Sequence, residues 1–590
     1  MVTYFQTINE YGYVGPYIWT NGPLPASVTG GTPYIDQPGT TQWNMYDGFT
    51  GEYICSIDNA SSGSELTTDA NGDLMLYFIN NTAGTQITYP NELASSATPV
   101  TTTGPSLGMF NFTQALQTQM QNIVTSGATD WLWEPPLLHQ YSWNLGIMAE
   151  VNIPSDMTSI PLWGAGGIGS NVLILTGGNI YGEGAGGETP GYLLCQGYSL
   201  TNLAMLWETN ITEIPYTRTT LAYGFGDLIQ VNLETDVVSG YSLTTGDLLW
   251  TNTLTGYNGA PINAYDNFAI SPYPAYNPAL GINVCYFEAF GGDMWALNMN
   301  NGDLIWYQNT TALFGSPGLE TPYGTWPLWI FNNEVVTNTE VFYAGGHEYD
   351  PPLFHGAQEF ALNATTGQLV WSVLGFDTTG SEISYGILLQ LNSYDGQVTA
   401  YGQGPSQTTV TAPDLGVTTA TPVTITGTVM DVSAGTQQEA VKADFPNGVP
   451  CISDADQGHW MEAVYEQQPV PSDMTGVPIT VTAIDPNGNF VTLGTTTSLA
   501  SGAWGLTWTP PNVPGNYTIT ATFAGSGAYY GSYAQTFVYV GSAPTPPPPT
   551  ATPVTGLAST GSLELGIAII AVIIIVIGAI LAVLMLRKKP

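Results

Sequence analysis

The sequence predicts an all-β exterior joined to a single transmembrane helix at the C-terminus, and two observations support this fold class. Short alternating segments rich in Thr, Val, Tyr and Ile lie between clusters of Gly, Asn, Asp and Pro, and no 3.6-residue apolar periodicity is sustained before residue 404. That texture is typical of a sandwich, a barrel or a propeller. Near the C-terminus, an uncharged apolar run is followed directly by a cluster of cations.

The apolar run Leu565 to Leu586 predicts a membrane-spanning helix, because such a helix needs about 20 apolar residues. Arg587, Lys588 and Lys589 follow the run. By the positive-inside rule this basic tail, residues 587–590, remains cytoplasmic. The sequence therefore predicts a single-pass protein of the cell membrane with its N-terminal domains outside the cell.

The charge balance excludes one class of partner. The 590 residues contain 45 Asp and Glu but only five Lys and Arg, which gives a formal net charge of −40. Nucleic-acid binding depends on cations that neutralise phosphates, so a nucleic-acid partner is excluded. A surface of this kind attracts divalent cations instead.

The first residues give no sign of export. Residues 1–15 have neither the basic nor the apolar region of a signal peptide. This predicts either a start upstream of Met1 or a tail-anchored protein whose bulk faces the cytoplasm. The scarcity of Lys and Arg before the helix favours the first alternative.

Seven Asn-x-Ser/Thr sequons fit a glycosylated exterior, although a chain rich in Asn and Thr produces many of them by chance. The predicted glycosylation sites are Asn59, Asn80, Asn111, Asn210, Asn309, Asn363 and Asn516.

An internal repeat runs through the first 404 residues. Phe360 to Trp371 reads FALNATTGQLVW, Trp295 to Trp306 reads WALNMNNGDLIW, and Gly240 to Trp250 reads GYSLTTGDLLW. In each unit Trp follows Gly by four residues. Two looser units are Gly197 to Trp207, with Leu203 at the glycine position, and Met45 to Cys55, which ends in Cys. The repeat residues are Gly51, Trp207, Gly246, Trp250, Gly302, Trp306, Gly367 and Trp371.

The repeat has a direct physical interpretation. The Thr-Gly or Asn-Gly pair predicts a tight hairpin turn with positive φ at the glycine. The Trp then occupies one fixed place in every unit, where it can fill the gap between neighbouring radial sheets. We therefore expect Trp306 and Trp371 to be packing residues.

These units resemble the repeats of pyrroloquinoline-quinone-type β-propellers, whose signature is Ala-x-Asp/Asn-x-x-Thr-Gly-x-x-x-Trp. The match is specific at Ala361 to Trp371 and at Ala296 to Trp306, and looser elsewhere. The resemblance implies a quinoprotein-like propeller of seven or eight blades over residues 1–404. The family includes quinone-dependent dehydrogenases and non-enzymatic scaffolds, and the fold alone does not choose between them.

The residues favour a non-enzymatic surface variant of that family. The resemblance implies that a catalytic member would carry two adjacent cysteines against the quinone, whereas Cys55, Cys195, Cys285 and Cys451 are widely scattered. Only Arg218 and Lys442 could neutralise the quinone carboxylates, because the other cations lie in the tail. Burial of those carboxylates without cations would cost several kcal/mol each. We therefore expect no quinone cofactor.

One loop, Gly346 to Gly356 (GHEYDPPLFHG), combines imidazoles with carboxylates. Such groups can bind a divalent cation such as calcium. The predicted metal ligands are His347, Glu348, Asp350 and His355. The alternative is a polar loop made rigid by two prolines, in which a histidine caps backbone groups.

A second module is predicted at residues 405–541, where alternating strands, among them Val423 to Val432 and Ala503 to Trp508, are separated by turns such as Asp485-Pro-Asn-Gly488. About seven short strands suggest an immunoglobulin-like sandwich with a connector. Gly502 to Ala534 resembles the immunoglobulin-like repeats of prokaryotic, especially archaeal, surface proteins. Phe445 to Gln468 interrupts the strand pattern and predicts a loop with a short helix.

Residues 542–564 form a Pro/Thr-rich tract that predicts an extended stalk before the membrane helix of residues 565–586. Within it Leu557 to Gly561, LASTG, also resembles a sortase sorting signal, and a chance match in a tract of small residues is the alternative.

These observations predict a membrane-anchored cell-surface binding or structural protein that presents a β-propeller to a protein or glycan partner. The alternative is an extracellular hydrolase, lyase or metal-dependent enzyme that uses the His347 to His355 loop.

Overall fold

A computed structural model provides the fold for part of the chain. It describes residues 2–6, 13–22, 41–61, 65–69, 72–88, 98–117, 139–160, 171–178, 192–212, 219–262, 266–314, 320–321, 324–325, 335–345, 358–375, 382–392, 396–543 and 560–587.

Seven small sheets follow one another along residues 2–402, and we number them sheets I to VII in chain order. Sheet I contains Val2–Gln6, Tyr13–Asn21, Thr41–Asp47 and Tyr53–Ala60, with His139–Ser142 added parallel to the last of these. Sheet II contains Glu65–Thr68, Leu74–Asn80, Ser106–Asn111 and Ile147–Asn152, and sheet III contains Met157–Ser159, Val172–Gly178, Tyr192–Ser199 and Met205–Thr212.

Sheets IV to VII continue the same antiparallel up-and-down order. Sheet IV contains Thr219–Gly224, Asp227–Asn232, Val237–Ser242 and Leu248–Thr253, and sheet V contains Ile270–Asn277, Ile282–Ala289, Asp293–Asn298 and Leu304–Asn309. Sheet VI contains Val335–Val336, Glu340–Ala344, Gln358–Asn363 and Leu369–Leu374, and sheet VII contains Glu382–Ser384, Ile387–Asn392 and Gln397–Gly402. Two separate hairpins pair Gly84–Thr88 with Thr98–Thr102 and Glu320–Thr321 with Gly324–Thr325.

The hydrophobic core lies between successive sheets. Because alternate residues of a strand point to opposite faces, the middle strands of each sheet supply apolar side chains to both neighbours. Ile229 of sheet IV packs with Phe287 of sheet V, and Val284 of sheet V packs with Val341 and Phe360 of sheet VI. Every consecutive pair from sheet I to sheet VI shares such a cluster.

The C-terminal module consists of two four-stranded sheets around one core. The first contains Ser406–Thr408, Val423–Asp431, Val449–Pro450 and Ala503–Trp508, and the second contains Phe490–Thr497, Pro478–Ile484, Gly515–Gly525 and Tyr530–Val540. Ile425 and Trp504 of the first sheet share a buried cluster with Val481, Ile519 and Val538 of the second.

The sequence located several of these strands well. The predicted strand Ala503 to Trp508 has the same bounds in the structure, and Val423–Asp431 ends one residue before the predicted Val432. The irregular segment predicted before residue 468 contains the short helix Gln457–Tyr465.

The remaining described α-helical segments are residues 112–117, Thr310–Phe314, Glu439–Asp444 and Thr560–Leu586. The last one contains the span Leu563–Leu586, which has a mean hydropathy of 3.5 and no buried portion. It is therefore long and apolar enough to cross a membrane. In the helix Glu439–Asp444 the half-exposed Lys442 lies 3.7 Å from Glu439.

Candidate functional site

The loop predicted to bind a metal, Gly346 to Gly356, lies outside the described residues. His347, Glu348, Asp350 and His355 therefore stay a prediction. Within the described ranges, no group of three or more His, Cys, Asp or Glu side chains is arranged to hold a metal ion. Each of the four cysteines is buried.

The repeat tryptophans of sheets III, IV and V hold each sheet against the next. Trp207, Trp250 and Trp306 are buried. Each ring lies on the turn glycine of the following sheet, so closely that a Cβ on that glycine would approach the ring within 3 Å. The three pairs and the nearest Cβ-to-ring distances are Trp207 with Gly246 at 2.6 Å, Trp250 with Gly302 at 2.4 Å, and Trp306 with Gly367 at 2.8 Å.

A hydrogen bond repeats at each of these contacts. The indole N–H groups of Trp207, Trp250 and Trp306 donate to the backbone oxygens of Leu243 (2.7 Å), Met299 (2.5 Å) and Ala364 (3.0 Å). In every case the acceptor lies three residues before the turn glycine. The repeat therefore encodes both halves of the contact, because the Trp of one unit binds the turn of the next.

The turn geometry explains the glycines. Gly246, Gly302 and Gly367 have φ values of 75°, 75° and 69°, in the left-handed region that favours glycine. Leu203 takes the glycine position of its unit and still has a φ of 57°. The turn is thus kept where the sequence departs from the repeat.

Trp371 ends the series differently, because it is only half-buried. Sheet VII has three strands in the described part of the chain, and its last strand leads directly into the C-terminal module. Sheet VII has a turn of the repeat type at Gly396, which has a φ of 68°, but a Cβ on Gly396 would have no described atom within 4 Å, so the ring of Trp371 does not lie on this turn. Its ring centroid instead lies 5.7 Å from that of Tyr401 and 6.2 Å from that of Phe342.

These three rings line a cavity of about 750 Å³, which we call the junction cavity. Sheet VI supplies Phe342 and Trp371, sheet VII supplies Tyr401 and the fully exposed Tyr385, and the C-terminal module supplies Met461. The walls are mainly apolar, and hydroxyl, amide and carboxyl groups lie among them. Small-molecule pockets in proteins commonly combine apolar and aromatic walls with a few polar groups in this way.

Among the described residues of the lining, the ionisable groups are acids and tyrosines, without Lys, Arg or His. Asp454 accepts hydrogen bonds from the backbone N–H groups of Gly527 (2.8 Å) and Ala528 (3.0 Å), which fixes this wall. Burial raises the pKa of the Tyr401 hydroxyl, and the neighbouring Glu359 acts in the same direction. The cavity therefore presents a neutral phenol and negative carboxylates to a ligand.

The C-terminal module is attached directly beside the cavity. The Glu462 carboxylate accepts a hydrogen bond from the backbone N–H of Leu374 (3.0 Å) and contacts His459 Nδ1 (3.0 Å). The Gln403 amide donates to the backbone oxygens of Ser526 (2.7 Å) and Tyr529 (3.1 Å). These contacts hold the two modules together at the mouth of the cavity.

The sequons differ in how their side chains are used. Asn111 is fully buried, which closes its amide to a glycan in this fold. Asn80 and Asn309 donate their Nδ2 groups to Glu150 and Asp293. Asn363 caps its own turn by accepting from the backbone N–H of Thr365 (3.0 Å). The side chains of Asn210 and Asn516 are exposed, and that of Asn59 lies outside the described atoms.

Sequence alone would not have found the junction cavity, because Trp371, Tyr401 and Met461 come from distant segments. The available signal was the absence of a further Gly-x-x-x-Trp unit after Trp371.

In the described part of the chain, seven small sheets follow one another, and each consecutive pair from sheet I to sheet VI shares a buried core, which defines a β-propeller-like fold. No family model and no curated protein matches the chain.

Solved structures share this arrangement distantly. BamB from Moraxella catarrhalis is 12% identical and covers 62% of this chain and 89% of its own, with a TM-score of 0.28. The quinohemoprotein alcohol dehydrogenase ADHIIG from Pseudomonas putida HK5 is 11% identical and covers 79% and 76%, with a TM-score of 0.34. Sqt1 from Saccharomyces cerevisiae is 9% identical and covers 66% and 90%, with a TM-score of 0.33. The strand pairing, rather than these scores, defines the class.

Proposed function

We propose that the chain is a membrane-anchored cell-surface binding protein that takes a protein or glycan partner at the junction cavity. One observation carries the proposal. Trp371 has the sequence position of a packing residue, but it lines an open cavity together with Tyr401 and Phe342. Large aromatic side chains with both an apolar body and an accessible surface are the usual anchors of binding sites.

The lining also limits the chemistry of the partner. Glu340 and Asp454 contribute negative charge, and the described part of the lining contains no cation that opposes them. These negative charges would repel a ligand that carries a phosphate, sulfate or carboxylate group. The cavity therefore favours a neutral sugar or an uncharged or basic peptide segment.

The helix Thr560–Leu586 supports the anchoring, and the charge rule supports the orientation. Arg587 follows the helix directly, and two lysines complete the basic tail. Such a cluster favours the cytoplasmic side. We infer that residues 1–564 lie outside the cell.

We also infer that sheets I to VII are the blades of one seven-bladed ring and that the C-terminal module is immunoglobulin-like. The shared cores between consecutive sheets support the ring, and the two facing sheets support the sandwich. The absence of adjacent cysteines argues against quinone catalysis in this ring.

The test compares full-length protein in nanodiscs with two variants, using calorimetric titration against neutral oligosaccharides and against short uncharged or basic peptides. We expect one panel to contain a ligand whose affinity falls about tenfold or more in Trp371→Ala, as for a central anchor. Phe49→Ala is the matched control, because Phe49 is an exposed aromatic side chain in the turn between Thr41–Asp47 and Tyr53–Ala60 of sheet I, far along the chain from the cavity. The proposal fails if neither panel binds, or if Trp371→Ala binds as the parent does.

A further inference from the structure

The second sheet of the C-terminal module has an exposed row of aromatic side chains. Tyr533, Phe537 and Tyr539 are 71%, 66% and 63% exposed, and together they form what we call the aromatic face. Residues two apart on a strand share a face. On the opposite face of the same strand, Val538 and Val540 are buried in the core.

This face lacks charge in a chain whose net charge is −40. Neither Gly515–Gly525 nor Tyr530–Val540 contains a charged residue, and the outward positions of the first strand are Asn516 and a series of threonines. Phe537 and Tyr539 are neighbours on this face, and exposed apolar patches of this kind mark interaction sites. A neutral polyhydroxylated group fits aromatic rings flanked by hydroxyl groups.

The sequon Asn516-Tyr517-Thr518 lies on the same face. In the strand register Asn516 is directly opposite Tyr539, and Thr518 is directly opposite Phe537. Residues paired in this way have Cβ atoms about 4.5–5.5 Å apart. A group attached to the exposed Asn516 amide would therefore begin beside the Tyr539 ring.

We propose that Asn516 carries an N-linked glycan whose first sugars pack on Tyr539 and Phe537. The glycan covers the aromatic face and holds Gly515–Gly525 and Tyr530–Val540 together from outside the core. This inference depends on the outward orientation proposed above, since N-linked glycans are added to exported chains.

The first experiment measures occupancy. The full chain is isolated from the membrane of a host that N-glycosylates exported proteins, and chymotryptic glycopeptides are analysed by mass spectrometry. We expect Asn516 to be occupied. An unoccupied Asn516 overturns the proposal. If Asn210 carries a glycan in the same sample, the outward orientation stands and only this inference fails. If no sequon is occupied and external protease spares the modules in intact cells, the orientation fails as well.

The second experiment measures whether the glycan contacts the rings. Hydrogen exchange of the two strands is compared in the parent, Asn516→Gln, the Phe537→Ala/Tyr539→Ala variant and their combination, as a double-mutant cycle. We expect Asn516→Gln to accelerate exchange about fivefold in the parent, which corresponds to roughly 1 kcal/mol. In the Phe537→Ala/Tyr539→Ala background, we expect Asn516→Gln to add little further acceleration of exchange. Equal acceleration in both backgrounds overturns the packing of the glycan on the rings. Phe49→Ala is the control background and should leave the effect of Asn516→Gln unchanged.

Discussion

Trp306 and Trp371 occupy the same position in two consecutive repeats, yet the structure uses them differently. Trp306 is buried on Gly367 and donates to the backbone oxygen of Ala364. Trp371 is half-buried in the junction cavity. The repeat fixes the position of each Trp within its own sheet. The neighbouring element determines whether that Trp is buried and stabilises the fold or remains available to a ligand.

The largest effect on stability is expected when a tryptophan that is buried on a turn glycine is removed. Trp306→Ala should lower the free energy of unfolding by about 3–5 kcal/mol, because a buried aromatic ring leaves a cavity when it is truncated. Trp371→Ala should cost clearly less, because part of its ring is already solvated. Guanidinium denaturation of both variants, followed by circular dichroism, measures the difference. Equal losses would show that Trp371 is a packing residue after all.

A smaller effect is expected on the glycine side of the same contact. Gly302 and Gly396 have similar φ values, 75° and 68°, so alanine strains the backbone at either position by about 1–2 kcal/mol. At Gly302 the new Cβ would also lie 2.4 Å from the Trp250 ring, whereas nothing lies within 4 Å at Gly396. Overpacking adds about 1–3 kcal/mol. Gly302→Ala should therefore unfold at a lower denaturant concentration than Gly396→Ala. Equal midpoints would contradict the close contact between Gly302 and the Trp250 ring.

The free energy of unfolding should also depend on pH, because Asp266 is buried. Burial, together with the neighbouring Asp293, raises the pKa of Asp266 well above its usual range. The folded state then binds a proton that the unfolded state loses near pH 4. Stability should therefore fall as pH rises above about 4, by at most about 1.4 kcal/mol per pH unit. Asp266→Asn removes this dependence, which denaturation curves at pH 5 and pH 7 would show. Parallel losses in parent and variant would contradict it.

The sequence predicted the contacts that are encoded locally. The four-residue spacing from Gly to Trp predicted the turn and the buried ring in each repeat. The alternation of apolar and polar residues predicted strands such as Ala503–Trp508. The sequence did not predict that Trp371 would differ from Trp306, because that depends on the three-strand sheet VII and on how the C-terminal module packs beside it. Such contacts join residues about 90 positions apart, as Leu374 and Glu462 do, and leave no periodic signal.

The sequons also separate what a local sequence pattern can predict from what it cannot. The Asn-x-Ser/Thr pattern marks Asn111 and Asn516 alike, but one side chain is in the core and the other lies on an exposed strand. Burial depends on which face of a sheet is covered, and a three-residue motif carries no information about it.

The half-exposed Lys442 has a practical consequence, because it is the only lysine that precedes the membrane helix. In the orientation proposed above, an amine-reactive dye that does not cross membranes would mark Lys442 in the C-terminal module and would spare Lys588 and Lys589 in intact cells. The same scarcity leaves a trypsin-like protease only Arg218 and Lys442 to cut before the tail. A surface with so few basic side chains is thus both resistant to a common class of protease and open to labelling at a single defined point.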